Sequence, residues 1–155
     1  MTARLRFLAA MAWLLPASAA HAAPVCTLLS TPEMNFGFYS ALGGTRDAES
    51  TMLMSCTPDL LVGPTVSYTI SMSPGTGNPA GYLPRRLVAG AFALEYNLYT
   101  DLVRTTVWGD GSPGTAVVGG AGAGACSIPV YGRIPAGQAV PAAQYRDDVV
   151  VTVDF

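Results

Sequence analysis

The sequence predicts an all-β fold, a β-sandwich of roughly 100 residues, on three observations. Apolar and polar residues alternate with a period of two over several short stretches, a pattern typical of strands with one buried face. Clusters of glycine, proline, asparagine and aspartate separate these stretches and predict turns. No stretch beyond the N-terminal segment has the apolar spacing of an amphipathic helix.

The elements follow one another closely. In the first predicted strand Met52, Met54 and Cys56 alternate with Thr51, Leu53 and Ser55, and the later strands repeat a period of two. Strands are predicted at residues 51–56, 65–72, 94–99 and 147–155. Turns are predicted at residues 74–79 and 109–111. The stretch GGAGAGA, residues 119–125, has low complexity and is predicted to be a flexible surface loop that holds no phosphate.

The first 22 residues have the features of a secretory signal peptide. Arg4 and Arg6 precede the apolar run FLAAMAWLL, and Ala20-His21-Ala22 forms an A-x-A cleavage site. The run is shorter than the roughly 20 apolar residues that a membrane-spanning helix needs. We therefore predict a signal peptide at residues 1–22 and one secreted domain at residues 23–155, with no membrane span after cleavage.

The charge balance of the predicted mature chain argues against a nucleic-acid partner. Signal cleavage removes two of the eight arginines, so six basic residues face ten acidic ones and the net charge is about −4. A nucleic-acid surface relies on clustered lysine and arginine. The only basic cluster is Arg85-Arg86, which we interpret as a solvated strand end.

Three cysteines remain after cleavage: Cys26, Cys56 and Cys126. Export permits a disulfide, and an odd count leaves at least one thiol unpaired or paired between chains. Cys26 and Cys56 lie in or beside strand-like segments, which favours a bond between them. A zinc site is the alternative, but the chain has no CxxC motif to supply it. Cys126 is interpreted as a buried or incidental thiol.

Catalytic groups are scarce. The predicted mature chain has no histidine and no lysine, which removes the Ser-His-Asp and Cys-His arrangements. A hydrolase using carboxylates is a distant alternative with Asp110 or Asp147 as candidates. Asp147 and Asp148 are adjacent strand residues that point to opposite faces, and Asp110 in a glycine-flanked turn is expected to cap its own backbone. We predict no enzyme activity, no cofactor and no metal.

Five aromatic residues leave a carbohydrate-binding function open. Side chains of this kind can form a platform for stacking sugars, although in a β-sandwich they more often fill or cover the core. The five are Tyr96, Tyr99, Trp108, Tyr131 and Tyr145. A stand-alone secreted carbohydrate-binding module is the second functional hypothesis.

Several motifs resemble the spore coat U domain family. They are YNLYTDLVRTTVWGDG at 96–111, PVYGRIPAGQ at 129–138, the ending YRDDVVVTVDF, and FGFYS at 36–40 between two cysteines. The residues that carry the resemblance are Tyr96, Asn97, Tyr99, Trp108, Gly109, Asp110, Gly111, Tyr131, Gly132, Arg133, Tyr145 and Asp147.

The resemblance implies an immunoglobulin-like sandwich that lacks its last strand. In that family a periplasmic chaperone and then a neighbouring subunit insert the missing strand, and an outer-membrane usher takes part in assembly. The resemblance also implies a disulfide between Cys26 and Cys56 and a structural role without catalytic residues.

The C-terminal strand fits this expectation. Val149, Val151, Val153 and Phe155 share one face, which we predict to line the groove that accepts a donor strand. Only three residues separate the predicted cleavage site from Cys26, too few for a donor segment of roughly 9–12 residues. The sequence therefore predicts a strand acceptor, a tip or end subunit of a surface pilus or coat, acting in attachment or biofilm formation.

Overall fold

The computed structural model describes residues 23–155, and within them every regular element is a β-strand. No helix in this range has the length and apolar character needed to cross a membrane. The eight strands are β1 (Val25–Ser30), β2 (Arg46–Thr57), β3 (Val66–Met72), β4 (Arg85–Ala89), β5 (Phe92–Tyr99), β6 (Val118–Gly122), β7 (Gly124–Ile134) and β8 (Val151–Asp154).

The strands form two sheets with only antiparallel pairing. The larger sheet has the order β1-β2-β7-β5-β4, and the smaller has the order β6-β3-β8. The longest pairing joins β2 to β7, from Arg46 opposite Ile134 to Cys56 opposite Gly124. The predicted all-β sandwich is confirmed.

The inward faces of the two sheets form one core. Met52, Met54 and Cys56 of β2 are buried against Ile70 and Met72 of β3 in the same cluster. On β5, Leu94, Tyr96 and Leu98 are also buried. These are the alternating positions that the sequence predicted to face inward, because successive strand residues point to opposite sides of a sheet.

The prediction of a flexible loop at residues 119–125 is wrong. Residues 118–122 form β6, which pairs with β3 from Val118 opposite Ile70 to Gly122 opposite Val66. Residues 124–134 form β7. Strand pairing uses backbone groups and needs no side chains, so low complexity does not prevent it. The ring of Tyr68 covers Gly120 so closely that an added Cβ would lie 2.6 Å from its hydroxyl.

The disulfide between Cys26 and Cys56 is confirmed, and these residues stand opposite each other in the β1–β2 register. Cys126 has a free thiol and is half-buried on β7. The predicted final strand at 147–155 is shorter than expected, because only Val151–Asp154 pairs as β8. The residues just before β8 bond to the segment after β3, since the Ser73 N–H donates to the Val150 carbonyl and the Thr76 N–H to the Asp148 carbonyl, and Arg146 forms a bridge with Val88 of β4.

Candidate strand-acceptor groove and the buried polar network

The strand β8 forms one edge of the smaller sheet. It pairs with β3 in the register that places Ser71 opposite Thr152 and Met72 opposite Val151. Two backbone hydrogen bonds determine which residues of β8 direct their N–H and C=O groups toward β3. The Ser73 N–H donates to the Val150 carbonyl at 2.9 Å, and the Met72 N–H points the other way, to the Gly109 carbonyl at 3.0 Å. Because bonded pairs alternate along an antiparallel ladder, Thr152 and Asp154 also face β3.

The backbone groups of Val151 and Val153 therefore point away from β3, toward the open side of β8. In the part of the chain that the structure describes, no strand pairs with β8 on that side. The side chains of Val149, Val151 and Val153 are partly buried and pack against the core. Phe155 was predicted to share this wall, but its side chain is 55% exposed.

The 31–39 segment lies across the inward face of the larger sheet. Met34 and Phe36 pack against Gly132, where a Cβ would lie 2.7 Å from the Phe36 ring. The Phe36 ring also meets the Tyr96 ring edge-on, with centroids 5.9 Å apart. At its end the Tyr39 hydroxyl donates to the Pro135 carbonyl at 3.1 Å. The glycine of the YGR motif thus makes room for this segment.

An apolar cavity of about 130 Å³ separates the 31–39 segment from the start of β8. Its walls are Thr31, Pro32 and Met34 on one side and Val149 and Val151 on the other. Leu98, Val130 and Met72 also line it. We call the open edge of β8 together with this cavity the acceptor groove. The structure brings three of the four predicted groove residues to one wall.

A buried arginine occupies the other side of the core. Arg85 is fully buried, so its interpretation as a solvated strand end is wrong. Its guanidinium donates to the Ser73 carbonyl at 2.8 and 3.1 Å and to the Trp108 carbonyl at 2.7 Å. It also donates to Oδ1 of Asn97 at 3.0 Å. Carbonyl oxygens supply the partial negative charge that a buried cation needs, and burial still lowers the pKa of Arg85.

The resemblance motifs meet at this arginine. Trp108 is fully buried and donates its Nε1–H to the Ile70 carbonyl at 2.9 Å. Asn97 donates from Nδ2 to the Tyr82 carbonyl at 2.9 Å. Arg85, Asn97 and Trp108 together form what we call the buried polar network. No residue pattern in the sequence marked Arg85 as its centre, because the partners are mostly backbone carbonyls.

Asp147 connects this region to the C-terminal segment. Its Oδ2 accepts the Tyr96 hydroxyl at 2.6 Å, and its Oδ1 accepts the Gly77 N–H at 2.8 Å. Burial and the bond to Asp147 raise the pKa of Tyr96 far above its ordinary range, so the phenol stays protonated. Asp148 is exposed, and the Asp147 carboxylate is bonded to Tyr96 and Gly77, so the two carboxylates do not converge.

The remaining motif residues stabilise turns and the sheet surface. Asp110 accepts the Ser112 N–H at 2.9 Å, and its hydrogen bonds to Ser112 lower its pKa. Arg133 donates to both oxygens of Asp47, at 2.7 and 2.8 Å, and this bond lowers the pKa of Asp47. Arg104 adds a contact to Asp47 at 3.5 Å and lies over the Tyr131 ring, 5.8 Å from its centroid.

The five aromatic residues do not form an exposed platform. Trp108 and Tyr96 are buried, and Tyr99, Tyr131 and Tyr145 are half-buried. The described residues also contain no group of three or more His, Cys, Asp or Glu side chains placed to hold a metal ion.

These features define a two-sheet β-sandwich in which the β8 edge of the smaller sheet lies open beside an apolar cavity. The model of the Spore Coat Protein U domain family matches residues 12–152, so the chain belongs to that family. The predicted resemblance is confirmed. Protein U of Myxococcus xanthus is 33% identical over an alignment of 130 residues that covers 79% of this chain and 71% of that protein.

A solved structure is similar in fold. It is the chaperone–tip adhesion subunit pre-assembly complex, CsuC–CsuE, from the archaic chaperone–usher Csu pili of Acinetobacter baumannii. The TM-score is 0.59 and the sequence identity is 20%, over 85% of this chain and 40% of the solved chain. This chain therefore spans two fifths of the solved chain, and the likeness shows the fold.

Proposed function

We propose that this chain is an exported, non-enzymatic subunit of a surface fibre or coat that is assembled by donor-strand complementation. In this proposal the chain accepts a strand from another polypeptide into the acceptor groove. Membership of the Spore Coat Protein U domain family and the fold shared with a chaperone-bound pilus subunit support it. The acceptor groove is the main structural support for this proposal.

The open edge of β8 offers what an added strand requires. The N–H and C=O groups of Val151 and Val153 form a row of backbone partners, and their side chains border the apolar cavity or the core. An exposed apolar edge favours aggregation unless another chain covers it. Strand addition satisfies the backbone groups and supplies apolar side chains at alternate positions.

The cavity indicates the chemistry of the donor. Its volume of about 130 Å³ suits one aliphatic side chain, and its lining contains no charged residue. Burying a leucine, isoleucine or methionine there would contribute roughly 1.5–3 kcal/mol. We therefore propose a donor segment in which an aliphatic residue enters this cavity and the residues two positions away continue along the Val151–Val153 wall.

The partners follow from this route of assembly. We propose a periplasmic chaperone, an outer-membrane usher and neighbouring pilin-like subunits, with final placement at the cell surface and a role in attachment or biofilm formation. The tip or end position depends on cleavage near Ala23, at the limit of the predicted signal peptide, and stays a prediction. Mass spectrometry of the mature N-terminus tests its premise.

Amide hydrogen exchange tests the acceptor groove. The amides of β8 that face β3 serve as the control for those that face the open edge. The amides of Val151 and Val153 face the open edge, whereas those of Thr152 and Asp154 face β3. In the mature chain alone we expect the open-edge amides to exchange at least about tenfold faster than the β3-facing amides. In the chaperone complex both sets should be protected. Equal protection in the chain alone would contradict the proposal.

A self-complemented chain provides a second test. It consists of residues 23–155 followed by a two-residue turn and a strand of alternating valine and threonine, which can fold back along β8. We expect it to be monomeric and to unfold at a higher temperature than the unextended chain. The matched control replaces each valine of the added strand with serine, and it should give no gain. An equal gain from both versions would exclude side-chain docking in the groove.

The alternatives have less support. A sugar platform made from the five predicted aromatic residues would need exposed rings, and Trp108 and Tyr96 are buried. For a hydrolase, Asp110 caps its turn and Asp147 holds the C-terminal segment. Hydrolysis that is lost in Asp110→Ala while the fold is retained would revive the enzyme hypothesis.

A further inference from the structure

A second and larger cavity lies outside the acceptor groove. It measures about 570 Å³ and opens between the loop that follows β3 and the loop that contains the WGDG motif. The two cavities share no lining residue. Ligand sites in proteins commonly enclose roughly 300–1,000 Å³. The cavity is therefore large enough for a small organic ligand and independent of strand addition.

The lining combines one carboxylate, hydroxyl groups and apolar surfaces. Asp110, Ser112 and Thr115 come from one loop, and Tyr82 and Leu83 come from the other. Three prolines complete the apolar part of the wall. The lining contains no arginine, so nothing in it favours a phosphate, a sulfate or an acidic sugar. A ligand with several hydroxyl groups and a C–H face matches these walls.

The polar wall is held in place by its own turn. Asp110 uses Oδ1 to accept the Ser112 N–H, so the other carboxylate oxygen is not needed to hold the backbone. Thr115 donates to the Ser112 carbonyl at 2.9 Å and accepts the Gly111 N–H at 3.1 Å. A side chain that is already fixed loses little freedom when a ligand binds.

The aromatic wall is held by the buried polar network. Asn97 bonds the Tyr82 carbonyl, and the Arg85 guanidinium lies 5.1 Å from the centroid of the Tyr82 ring. Burial and the nearby Asp110 carboxylate raise the pKa of Tyr82, so its phenol keeps its proton. Gly114 brings the loops together, because a Cβ there would lie 2.8 Å from Leu83 Cδ1. Of the motif residues, Asn97 thus supports the aromatic wall and Asp110 forms part of the polar wall.

We propose that this cavity binds a neutral hexopyranose unit of a carbohydrate. The Asp110 carboxylate accepts hydrogen bonds from sugar hydroxyls, the Ser112 hydroxyl donates to them or accepts from them, and the Tyr82 and proline surfaces cover the C–H face. This site differs from the five-residue platform that the sequence suggested. It would give a surface subunit a receptor contact in addition to its assembly contact.

Nuclear magnetic resonance titration tests the site. The ¹⁵N-labelled mature chain is used in whichever form is soluble, alone or bound to its chaperone. The probes are methyl β-glucoside, methyl β-galactoside, methyl α-mannoside and methyl N-acetyl-β-glucosaminide, each up to about 50 mM, which covers dissociation constants near 1 mM. At least one should shift the amides of Gly81, Tyr82 and residues 110–115. No shift with any of the four overturns the proposal.

Three variants separate the effect of the Asp110 carboxylate on sugar binding from any effect on the fold. Asp110→Asn keeps a turn-forming residue and should weaken sugar binding about tenfold, because a charged acceptor is lost. Asp59→Asn is the matched control, since Asp59 caps a turn in the same way by accepting the Leu61 N–H at 3.0 Å. It should leave the affinity unchanged. Ser112→Ala, which also leaves the backbone bond to Asp110 intact, should weaken binding several-fold.

Other ligand classes give distinguishable results. Stronger shifts with N-acetylneuraminic acid than with the neutral sugars would overturn the proposal, because they would indicate an anion site. Stronger shifts with free arginine would make the cavity a site for basic side chains and would also overturn it. An equal loss of affinity in Asp59→Asn and Asp110→Asn would show that turn stability, not sugar contact, controls binding.

Discussion

Arg85 and Arg86 are adjacent in the sequence and have opposite environments. Arg85 donates to two backbone carbonyls and to Asn97 and is fully buried, whereas Arg86 is half-exposed beside Glu95 at 3.6 Å. A guanidinium suits the buried position because its planar fork reaches several acceptors at once. A lysine ammonium at the same place would keep the charge and leave some carbonyls without donors.

Arg85→Lys should lower the free energy of unfolding by about 3 kcal/mol, because it breaks a buried charged network. Arg86→Lys is the matched control and should change it by less than about 0.5 kcal/mol. Urea unfolding of the self-complemented chain, followed by the emission of Trp108, measures both. Equal effects of the two substitutions would show that the network does not stabilise the fold.

The pair formed by Asp47 and Arg133 predicts a pH dependence. The Arg133 bond lowers the pKa of Asp47 from its ordinary value of 3.8. The resulting stabilisation is complete above pH 3.8 and is lost as the pH falls through the lower folded value. The Asp47 side chain is 39% exposed, so water screens the pair and we expect at most about 1 kcal/mol.

Asp47→Asn removes this contribution at every pH. We therefore expect the stability difference between wild type and Asp47→Asn to be constant from about pH 5 to 7 and to shrink below the ordinary carboxylate pKa. Urea unfolding of the self-complemented chain at stepwise lower pH measures it. A difference that grows on acidification would have the wrong sign and would refute the assignment.

At the scale of elements, Gly132 allows β7 and the 31–39 segment to pack together. Gly132→Ala places a Cβ against Met34 and the Phe36 ring and should destabilise the self-complemented chain by about 2 kcal/mol. It should also shift amide resonances along residues 31–39. Gly119→Ala is the control on β6, where an added Cβ finds ordinary contacts of 3.7 Å or more. Its stability should be unchanged or slightly higher, because alanine costs less backbone entropy in a strand.

The strands show what alternation predicts and what it misses. On β2, β3 and β5 the inward residues are the apolar ones, so residue order alone located these strands. β6 and the start of β7 lie in a glycine-rich stretch, where Val118 is the one large apolar side chain before Ile128. Their position depends on pairing with β3 and β2, which lie far away in sequence. The same limit applies to the 31–39 segment, because it lines the groove without forming a strand.

At the scale of the molecule, the disulfide ties β1 to β2 across a separation of 30 residues. Replacing both Cys26 and Cys56 with serine should lower the free energy of unfolding by about 3–4 kcal/mol, since the unfolded chain gains freedom. Cys126→Ser is the control and should cost about 1 kcal/mol or less, because its thiol is half-buried and unpaired. Thermal unfolding of the self-complemented chain, its Cys26/Cys56 double variant and its Cys126→Ser variant tests this. If Cys126→Ser lowered the free energy of unfolding more than the double substitution, the disulfide would not be the main stabilising feature.

The family and the two-sheet architecture could be predicted from the sequence, because motifs and alternation are local. The buried polar network could not, since Arg85 binds carbonyls whose positions only the folded chain determines. The larger cavity was missed for a similar reason. Its walls come from two loops about 30 residues apart, and the sequence gives no sign that Tyr82 lies beside Asp110.

The edges of the smaller sheet also limit how many strands from other subunits this molecule could accept. Its two outer strands differ: β8 presents valines beside a cavity, whereas β6 is VGGAG and presents almost no side chains to a partner. The smaller sheet therefore offers one edge, that of β8, at which the side chains of an added strand can be buried. Subunits joined through that edge would form an unbranched assembly, and a chain that accepts a strand without giving one would lie at its end.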